Sequence, residues 1–399
     1  MSHLPSRASI ELPGCKSASA RALVLAACGH GTRALKGLSD CEDTHFLKSA
    51  LETWGAKFHA EEGTLMVEGW GGCPPSGPVF LNAGEAATNL RFLLALSGIC
   101  DGEITLTGSP ALMMRPHEPL LEFLRDNGCK VSWVKNGPAP CLKVCGGALP
   151  SGEWKGPGEL SSQFLSGLAL AAHARGGVSL LLPDKIASSG YFQMTEDILK
   201  SFPSQAVDEG AEFEVPADAS AATFFLVLLA IRRSRLFFTR AWSQEHPEAQ
   251  VARWLLDSQI LQKKGKEFSA TSEYPNTELE VNLDPFPDAG PALAVLASHL
   301  PHGLSFTGLQ RLRIKESDRI DGMVRLANAV GAQALLEGDN LLRISPHSAG
   351  PKPGGVFDSS GDHRLAMAGA IAGLEVSQPD CVAKSFPGFW SELRRFTES

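Results

Sequence analysis

No apolar run in this 399-residue chain reaches the roughly 18–20 residues that a membrane span requires. The stretch from Met1 to Pro13 also lacks the charged-then-apolar pattern of a secretory leader. A soluble, cytoplasmic protein is expected. Excess positive charge is missing too: 36 Lys and Arg stand against 44 Asp and Glu, a net charge of −8. Nucleic-acid backbones are bound through clustered cations, so nucleic acid is excluded as a default partner and any positive site must be local. The nine cysteines are odd in number and include no CxxC pair, which argues against a disulfide framework and a structural zinc site. Buried, reduced thiols are expected. What the chain does have is 43% hydrophobic and 20% charged residues, enough for two globular domains with substantial cores.

A hidden sixfold repeat organises the chain. Ala- and Leu-rich segments of helical length begin near Ser17, Thr88, Ser161, Ala219, Ala289 and His363, roughly 60–75 residues apart. Runs such as Phe224-Phe225-Leu226-Val227-Leu228-Leu229-Ala230 are apolar nearly all round and predict helices buried on every side. Amphipathic helices alternate with them near 43–54, 116–127, 191–202, 247–259, 316–329 and 386–396. Gly55, Gly128 and Gly331 follow three of these helices, where a C-cap wants positive φ. Strand-like runs at 104–107 and 304–307 both close on Thr-Gly before a basic loop. The pattern predicts six βαβαββ-like units in two domains of three. Generic α/β alternation would look similar without the matched ends.

Most residues able to carry chemistry fall in the first turn of one of these helices or just before it. Unpaired backbone N–H groups and the helix dipole make such positions natural phosphate and carboxylate sites. Lys16, Ser17, Ser19 and Arg21 open the first helix, where capping alone explains part of the pattern. Glu85-Ala86-Ala87-Thr88-Asn89-Leu90-Arg91 offers small residues that allow close approach of a ligand. Arg115 precedes Pro116, which can occupy helix position N1. Ser161, Ser162 and Gln163 supply several neutral donors at one helix start, and Ser188, Ser189, Tyr191, Asp218 and Ser220 repeat the theme. Asp218 reads more simply as a cap. Asp288 stands at the start of an apolar helix, where the dipole favours an ionised carboxylate able to act as a base.

The run Arg313-Ile314-Lys315-Glu316-Ser317-Asp318-Arg319 puts Lys315 and Arg319 at i and i+4, a pair that repels unless an anion lies between them. Glu316 is an acid or base candidate beside it, whereas Arg313 and Asp318 read as structural. Asp362, His363 and Arg364 open another helix, with His363 structural on its own showing, and Lys384 precedes the last helix. Lys16, Arg21, Arg115, Lys315, Arg319, Arg364 and Lys384 thus concentrate at helix starts of an acidic chain. That points to a small ligand rich in negative charge.

In order and spacing, these motifs resemble the 5-enolpyruvylshikimate-3-phosphate synthase family of enolpyruvyl transferases. The likeness rests on Lys16 to Arg21, Arg115-Pro116, Ser161-Ser162-Gln163, Asp218-Ala219-Ser220, Pro287-Asp288-Ala289, Lys315 to Arg319, Asp362-His363-Arg364 and Lys384 to Pro387. It implies the two-domain inside-out α/β barrel fold, each domain of three βαβαββ repeats, closing on substrate. The domains implied are 14–216, mainly for shikimate 3-phosphate, and 1–13 with 217–399, completing the phosphoenolpyruvate site. The resemblance assigns Lys16, Ser17, Arg21, Ser161, Ser162, Gln163, Ser188, Tyr191, Asp288 and Lys315 to shikimate 3-phosphate. It assigns Lys16, Ala87, Arg115, Gln163, Arg319, Arg364 and Lys384 to phosphoenolpyruvate. The two substrates carry about six negative charges, counting each phosphate as about −2, in proportion to the cations. Asp288, Glu316 and Lys16 are the implied proton-transfer residues. No metal or organic cofactor is implied, nor any membrane partner, and a monomer is expected.

Three positions depart from the family pattern. Ala20 and Arg311 stand where Asn is common, and Ala87 replaces a Gly bordering the phosphoenolpyruvate site. The added methyl shortens the pocket, so reduced inhibition by glyphosate is expected. Two other readings remain. A UDP-N-acetylglucosamine enolpyruvyl transferase would carry a Cys before the Arg-Pro turn, and Ala111-Leu112-Met113-Met114 has none. A catalytically silent anion-binding protein on the same scaffold would not need Asp288, Lys315, Glu316, Arg319 and Lys384 together. A phosphate-binding P-loop fits worse, because the run at 350–355 lacks a Gly-Lys-Ser/Thr ending.

Overall fold

The computed structural model describes residues 8–134, 140–202, 210–347, 350 and 354–398. Residues 351–353 of the Gly-rich run at 350–355 lie outside them. By contacts the chain forms two compact units, Gly14–Pro216 and Met1–Pro13 with Ala217–Ser399.

In the Gly14–Pro216 unit, the helices Lys16–Cys28, Ala87–Gly98 and Ser162–Arg175 pack on one another. Their Ala- and Leu-rich sequences leave no polar stripe to face water, and nearly every residue in them is buried. Close approach is part of the reason: a Cβ at Gly167 would stand 3.0 Å from the Arg91 carbonyl oxygen. The other unit repeats the arrangement with Ala219–Arg232, Gly290–Ala297 and His363–Ile371. Gly290–Ala297 is buried at every position.

Amphipathic helices and sheets lie outside these centres. Val79–Asn82 runs parallel to Glu103–Thr107, with Val79 opposite Ile104, and Cys141–Cys145 then pairs antiparallel between Glu103–Thr107 and Lys130–Val134. This is a βαβαββ unit. Leu279–Asn282, Leu304–Thr307, Leu341–Ser345 and Gln333–Glu337 repeat it strand for strand. Two further sheets take their first strand from far along the chain: Ala211–Glu214 lies beside Thr32–Lys36, and Ala8–Ile10 beside Arg235–Phe238. The last unit of each half is shorter. Among the described residues it holds only a parallel pair, Gly152–Lys155 with Val178–Leu181 or Val356–Phe357 with Glu375–Val376.

The glycines expected to end outer helices do so, with φ of +123° at Gly55, +92° at Gly128 and +81° at Gly331. The helix expected from about 316 begins later, at Arg319–Ala329, because Asp318 caps it by accepting from the Ile320 and Asp321 N–H groups at 3.0 and 3.2 Å. Lys315 and Glu316 therefore sit in a loop. All nine cysteines are free thiols, but Cys73 is exposed and only Cys15, Cys28, Cys41, Cys100 and Cys129 are buried. The expectation of uniformly buried thiols is corrected to that extent. Among the described residues, no helix is long and apolar enough to cross a membrane.

Candidate active site

Within the Gly14–Pro216 unit the first turns of the central helices carry the polar groups. Ser161 caps Ser162–Arg175, its hydroxyl accepting from the Gln163 N–H at 3.3 Å. It also accepts from Arg91 at 3.2 Å, while Arg91 donates to Gln163 Oε1 at 2.7 Å and to the Pro116 carbonyl at 2.8 Å. Arg91 thus binds the Ser161-Gln163 helix start to the Arg115-Pro116 turn. Burial, followed by the charge of Arg115, lowers the Arg91 pKa to about 9, which leaves it charged at neutral pH.

Lys16 forms an ion pair with Asp43 at 2.6 Å. Asn89 donates to the Asp43 carbonyl at 2.7 Å, so this pair is tied to the helix that Ala87 begins. Ala87 itself is buried. Ser188 adopts φ +47° and ψ +54°, a left-handed conformation that a non-glycine residue holds only when its surroundings impose it.

Several of the residues assigned to substrate are buried, Arg21, Ser162, Arg319 and Arg364 among them. Arg21 is 1% exposed and donates to Thr195 Oγ1 at 2.7 Å, the Ser17 carbonyl at 2.7 Å, Ser166 Oγ at 3.3 Å and the Tyr191 carbonyl at 2.9 Å. Burial lowers its pKa to about 10. These bonds tie Arg21 to the backbone at Ser17 and Tyr191. Ser162 is likewise buried.

In the other unit Asp288 lies in the short turn Pro287–Ala289 ahead of Gly290–Ala297 and is 20% exposed. Its Oδ1 accepts from Arg319 Nη1 at 2.7 Å and Lys315 Nζ at 3.3 Å, and its Oδ2 from Arg364 Nη2 at 3.4 Å. Burial opposes its ionisation, yet Lys315, Arg319 and Arg364 outweigh burial and hold the carboxyl well below the usual carboxylate range. The anion that the Lys315/Arg319 pair requires is thus supplied by the protein.

Arg319 is buried as well, 1% exposed. Besides Asp288 it donates Nε to Asp362 Oδ2 at 2.8 Å and Nη2 to Asp362 Oδ1 at 3.3 Å. Burial would lower its pKa, but Asp362, Asp288 and Glu316 raise it. Asp362 is wholly buried and also accepts from the Arg364 N–H at 2.9 Å and Ser317 Oγ at 3.0 Å. Glu316 pairs with His363 Nδ1 at 2.7 Å, which ties the structural-looking histidine to a candidate proton-transfer group. Lys384 donates to the Gly361 carbonyl at 3.0 Å, one residue before the Asp362 cap.

Glu316, Asp362 and His363 bring one ligand atom each within 4.8 Å of one another. Both Asp362 oxygens already accept from Arg319, so this trio is poorly suited to a metal cation. Asp218 is a cap, accepting from the Ala221 N–H at 3.0 Å. Arg311, at a departure position, donates to the Asp284 carbonyl at 2.6 Å.

The motifs gave no role to Asp43, Arg91 or Asp362. Arg91 had a detectable signal, being the single charge in an otherwise apolar buried helix. Asp362 had a weaker one as the capping acid of another.

A family model for EPSP synthase (3-phosphoshikimate 1-carboxyvinyltransferase) matches residues 4–393. The chain belongs to the EPSP synthase family. Among curated relatives named 3-phosphoshikimate 1-carboxyvinyltransferase, that of Pseudomonas syringae pv. syringae (strain B728a) is 32% identical over 96% of this chain and 93% of the relative. That of Rhizobium etli (strain CIAT 652) is 31% identical over 96% and 92%. The solved EPSP synthase of Acinetobacter baumannii shares the fold at a TM-score of 0.73 with 24% identity, covering 98% of this chain and 97% of that one. The enolpyruvyl transferase NikO from Streptomyces tendae shares it at 0.75 with 15% identity, covering 99% and 96%. The EPSP synthase fold is therefore the two-domain enolpyruvyl transferase architecture expected above.

Proposed function

We infer that the chain transfers the enolpyruvyl group of phosphoenolpyruvate to the 5-hydroxyl of shikimate 3-phosphate and releases phosphate, in keeping with relatives named 3-phosphoshikimate 1-carboxyvinyltransferase. The observation that carries this reading is the family match over residues 4–393. The hydroxyl oxygen bonds to C2 of phosphoenolpyruvate while C3 is protonated. The tetrahedral adduct then loses a C3 proton and breaks the C2–O bond to phosphate.

Shikimate 3-phosphate is assigned to Lys16, Ser17, Ser161, Gln163, Ser188, Tyr191, Asp288 and Lys315, with Arg21 and Ser162 supporting them. Phosphoenolpyruvate is assigned to Lys16, Ala87, Arg115, Gln163, Arg364 and Lys384, with Arg319 acting through Asp288. A carboxylate clamped by Lys315, Arg319 and Arg364 is a weak base. Substrate phosphate and carboxylate groups compete for Lys315 and Arg364, which relaxes the clamp and raises the basicity of Asp288 as the hydroxyl arrives. Glu316, oriented by His363, and Lys16 then serve proton transfer at C3.

The deciding experiment is phosphate release from phosphoenolpyruvate with shikimate 3-phosphate, compared with UDP-N-acetylglucosamine as acceptor. Release with the first alone is expected; release with neither revives the silent scaffold. Lys16→Met should keep the far-UV circular dichroism of wild type and lose turnover by about a hundredfold or more. Near-normal phosphate release would remove Lys16 from the mechanism. For Ala87→Gly, the glyphosate inhibition constant is expected to fall about tenfold, the scale of one methyl group in a fitted pocket. An unchanged constant would rule out that methyl as the determinant.

A further inference from the structure

A cavity of about 410 Å³ opens within the Gly14–Pro216 unit at the C-terminal ends of Lys16–Cys28 and Ser162–Arg175. It lies roughly 18 Å along the first helix from Lys16, at a rise of about 1.5 Å per residue. Arg33, Arg175, His30 and His173 line it, and no described carboxylate does. Arg33 is 4% exposed, forms no ion pair among the described residues, and has no acceptor for its Nε. Its guanidinium lies 4.8 Å from the centre of the Phe202 ring. Arg175 Nε also lacks an acceptor.

Cations at helix C-termini ordinarily offset the dipole and cap the last carbonyls. Here backbone amides already take those carbonyls: Trp70 N–H donates to Ala27 at 2.9 Å, Gly72 to Cys28 at 2.7 Å, and Gly176 to Ala172 at 3.0 Å. These three carbonyls therefore do not need either guanidinium as a cap. Burial lowers the pKa of Arg33 with no carboxylate to offset it. It also lowers that of His173, assisted by Arg33. A buried guanidinium nitrogen left without an acceptor is costly, and stacking on the Phe202 ring does not supply one, whereas an anion would.

We propose that this cavity, lined by Arg33, Arg175, His30 and His173, is a second anion site that binds a small phosphomonoester. Two guanidinium forks match a tetrahedral dianion with bidentate geometry. The volume falls in the range of small-molecule sites, about 300–1,000 Å³, and leaves room for an organic group beside the phosphate. At Gly71 a Cβ would stand 2.9 Å from His30 Nδ1, so the glycine keeps this wall tight against the imidazole.

Cys73 lines the same cavity and is exposed, so it reports on occupancy independently of the catalytic residues. The experiment follows its alkylation by iodoacetamide, read by peptide mass spectrometry. Inorganic phosphate or glycerol 3-phosphate is added at constant ionic strength set with KCl. In wild type, both are expected to slow alkylation saturably. In Arg33→Gln the protecting affinity should fall at least about tenfold, as expected for loss of a charged hydrogen bond, with turnover of shikimate 3-phosphate unchanged. Without ligand, Arg33→Gln should resist urea as well as wild type or better, because an unpaired buried charge is gone; clear destabilisation would mean a structural role instead. Absence of protection in wild type, equal protection by KCl, or undiminished protection in Arg33→Gln overturns the site. Protection by phosphate alone overturns the ligand class. If Arg33→Gln does not fold, Arg175→Gln carries the same expectation, and undiminished protection there overturns the proposal.

Discussion

Asp288→Asn should turn over shikimate 3-phosphate and phosphoenolpyruvate about a hundredfold to ten-thousandfold more slowly than wild type, the range lost with a positioned general base. The same substitution should also weaken the fold of the Ala217–Ser399 half. Asp288 is the shared acceptor for Lys315, Arg319 and Arg364, and removing its charge leaves three cations facing one another with Asp362 as the remaining carboxylate on Arg319. Loss of a charged hydrogen-bond acceptor is worth about 1.5–3 kcal/mol.

The two effects separate by pH and by ligand. The folded-state pKa of Asp288 is depressed by its cations, so its contribution is fully present above the unfolded value of about 3.9 and is lost as pH falls through the folded value. The stability gap between wild type and Asp288→Asn should therefore be widest near neutrality and narrow below about pH 4. Inorganic phosphate should restore part of the variant's stability by supplying the missing anion, without restoring turnover. Urea unfolding across pH and phosphate concentration, alongside a phosphate-release assay, tests both. A variant with near-normal turnover would remove Asp288 as the base, and a gap that grew on acidification would remove it as the counterion.

The setting of Asp288 was only half legible in the sequence. Features set by local pattern were readable: the all-round apolar helix Ala219–Arg232, the amphipathic helices between the central ones, and the left-handed caps at Gly55, Gly128 and Gly331. The i and i+4 spacing of Lys315 and Arg319 pointed to an anion between them, although Lys315 lies in the loop before the helix that Arg319 begins. The spacing could not say that the anion is Asp288, 27 residues from Lys315, because that pairing depends on how the loop after Leu304–Thr307 folds back. The same limit hid Lys16 with Asp43 and Arg91 with Gln163, which lie on different helices. Arg21 and Arg319 show a related limit: a cation at a helix start attracts a ligand or a buried acceptor equally well, and spacing alone does not reveal the protein acceptors that both side chains have here. Nor does spacing reveal that Ala8–Ile10 completes the sheet of Arg235–Phe238, since a strand of three residues has too little pattern to declare its partner.

The largest effect on stability belongs to Asp362. Asp362→Ala should cost about 3–5 kcal/mol, the scale of removing one partner from a buried ion pair, against a typical total of 5–15 kcal/mol. Two losses contribute. As the cap of His363–Ile371, Asp362 accepts from the Arg364 N–H, a role worth about 0.5–2 kcal/mol on replacement by Ala. As the counterion of Arg319, it accepts from Nε and Nη2 of a side chain that has almost no access to water, and the stranded cation accounts for the larger share. The double variant Asp362→Ala with Arg319→Met separates these contributions, because deleting both charges removes the uncompensated cation while the cap stays absent. Urea unfolding followed by hydrogen exchange in His363–Ile371 should show the double variant more stable than Asp362→Ala alone, by at least about 1 kcal/mol. Asp362→Asn, which keeps a carbonyl for the cap but turns N–H donors toward Arg319, should resemble Asp362→Ala rather than wild type. If the double variant were no more stable than Asp362→Ala, the cap would explain the whole loss and the ion pair would contribute nothing. Rescue of folding without rescue of phosphate release is the expected outcome, since Arg319 in that background no longer holds Asp288 in place.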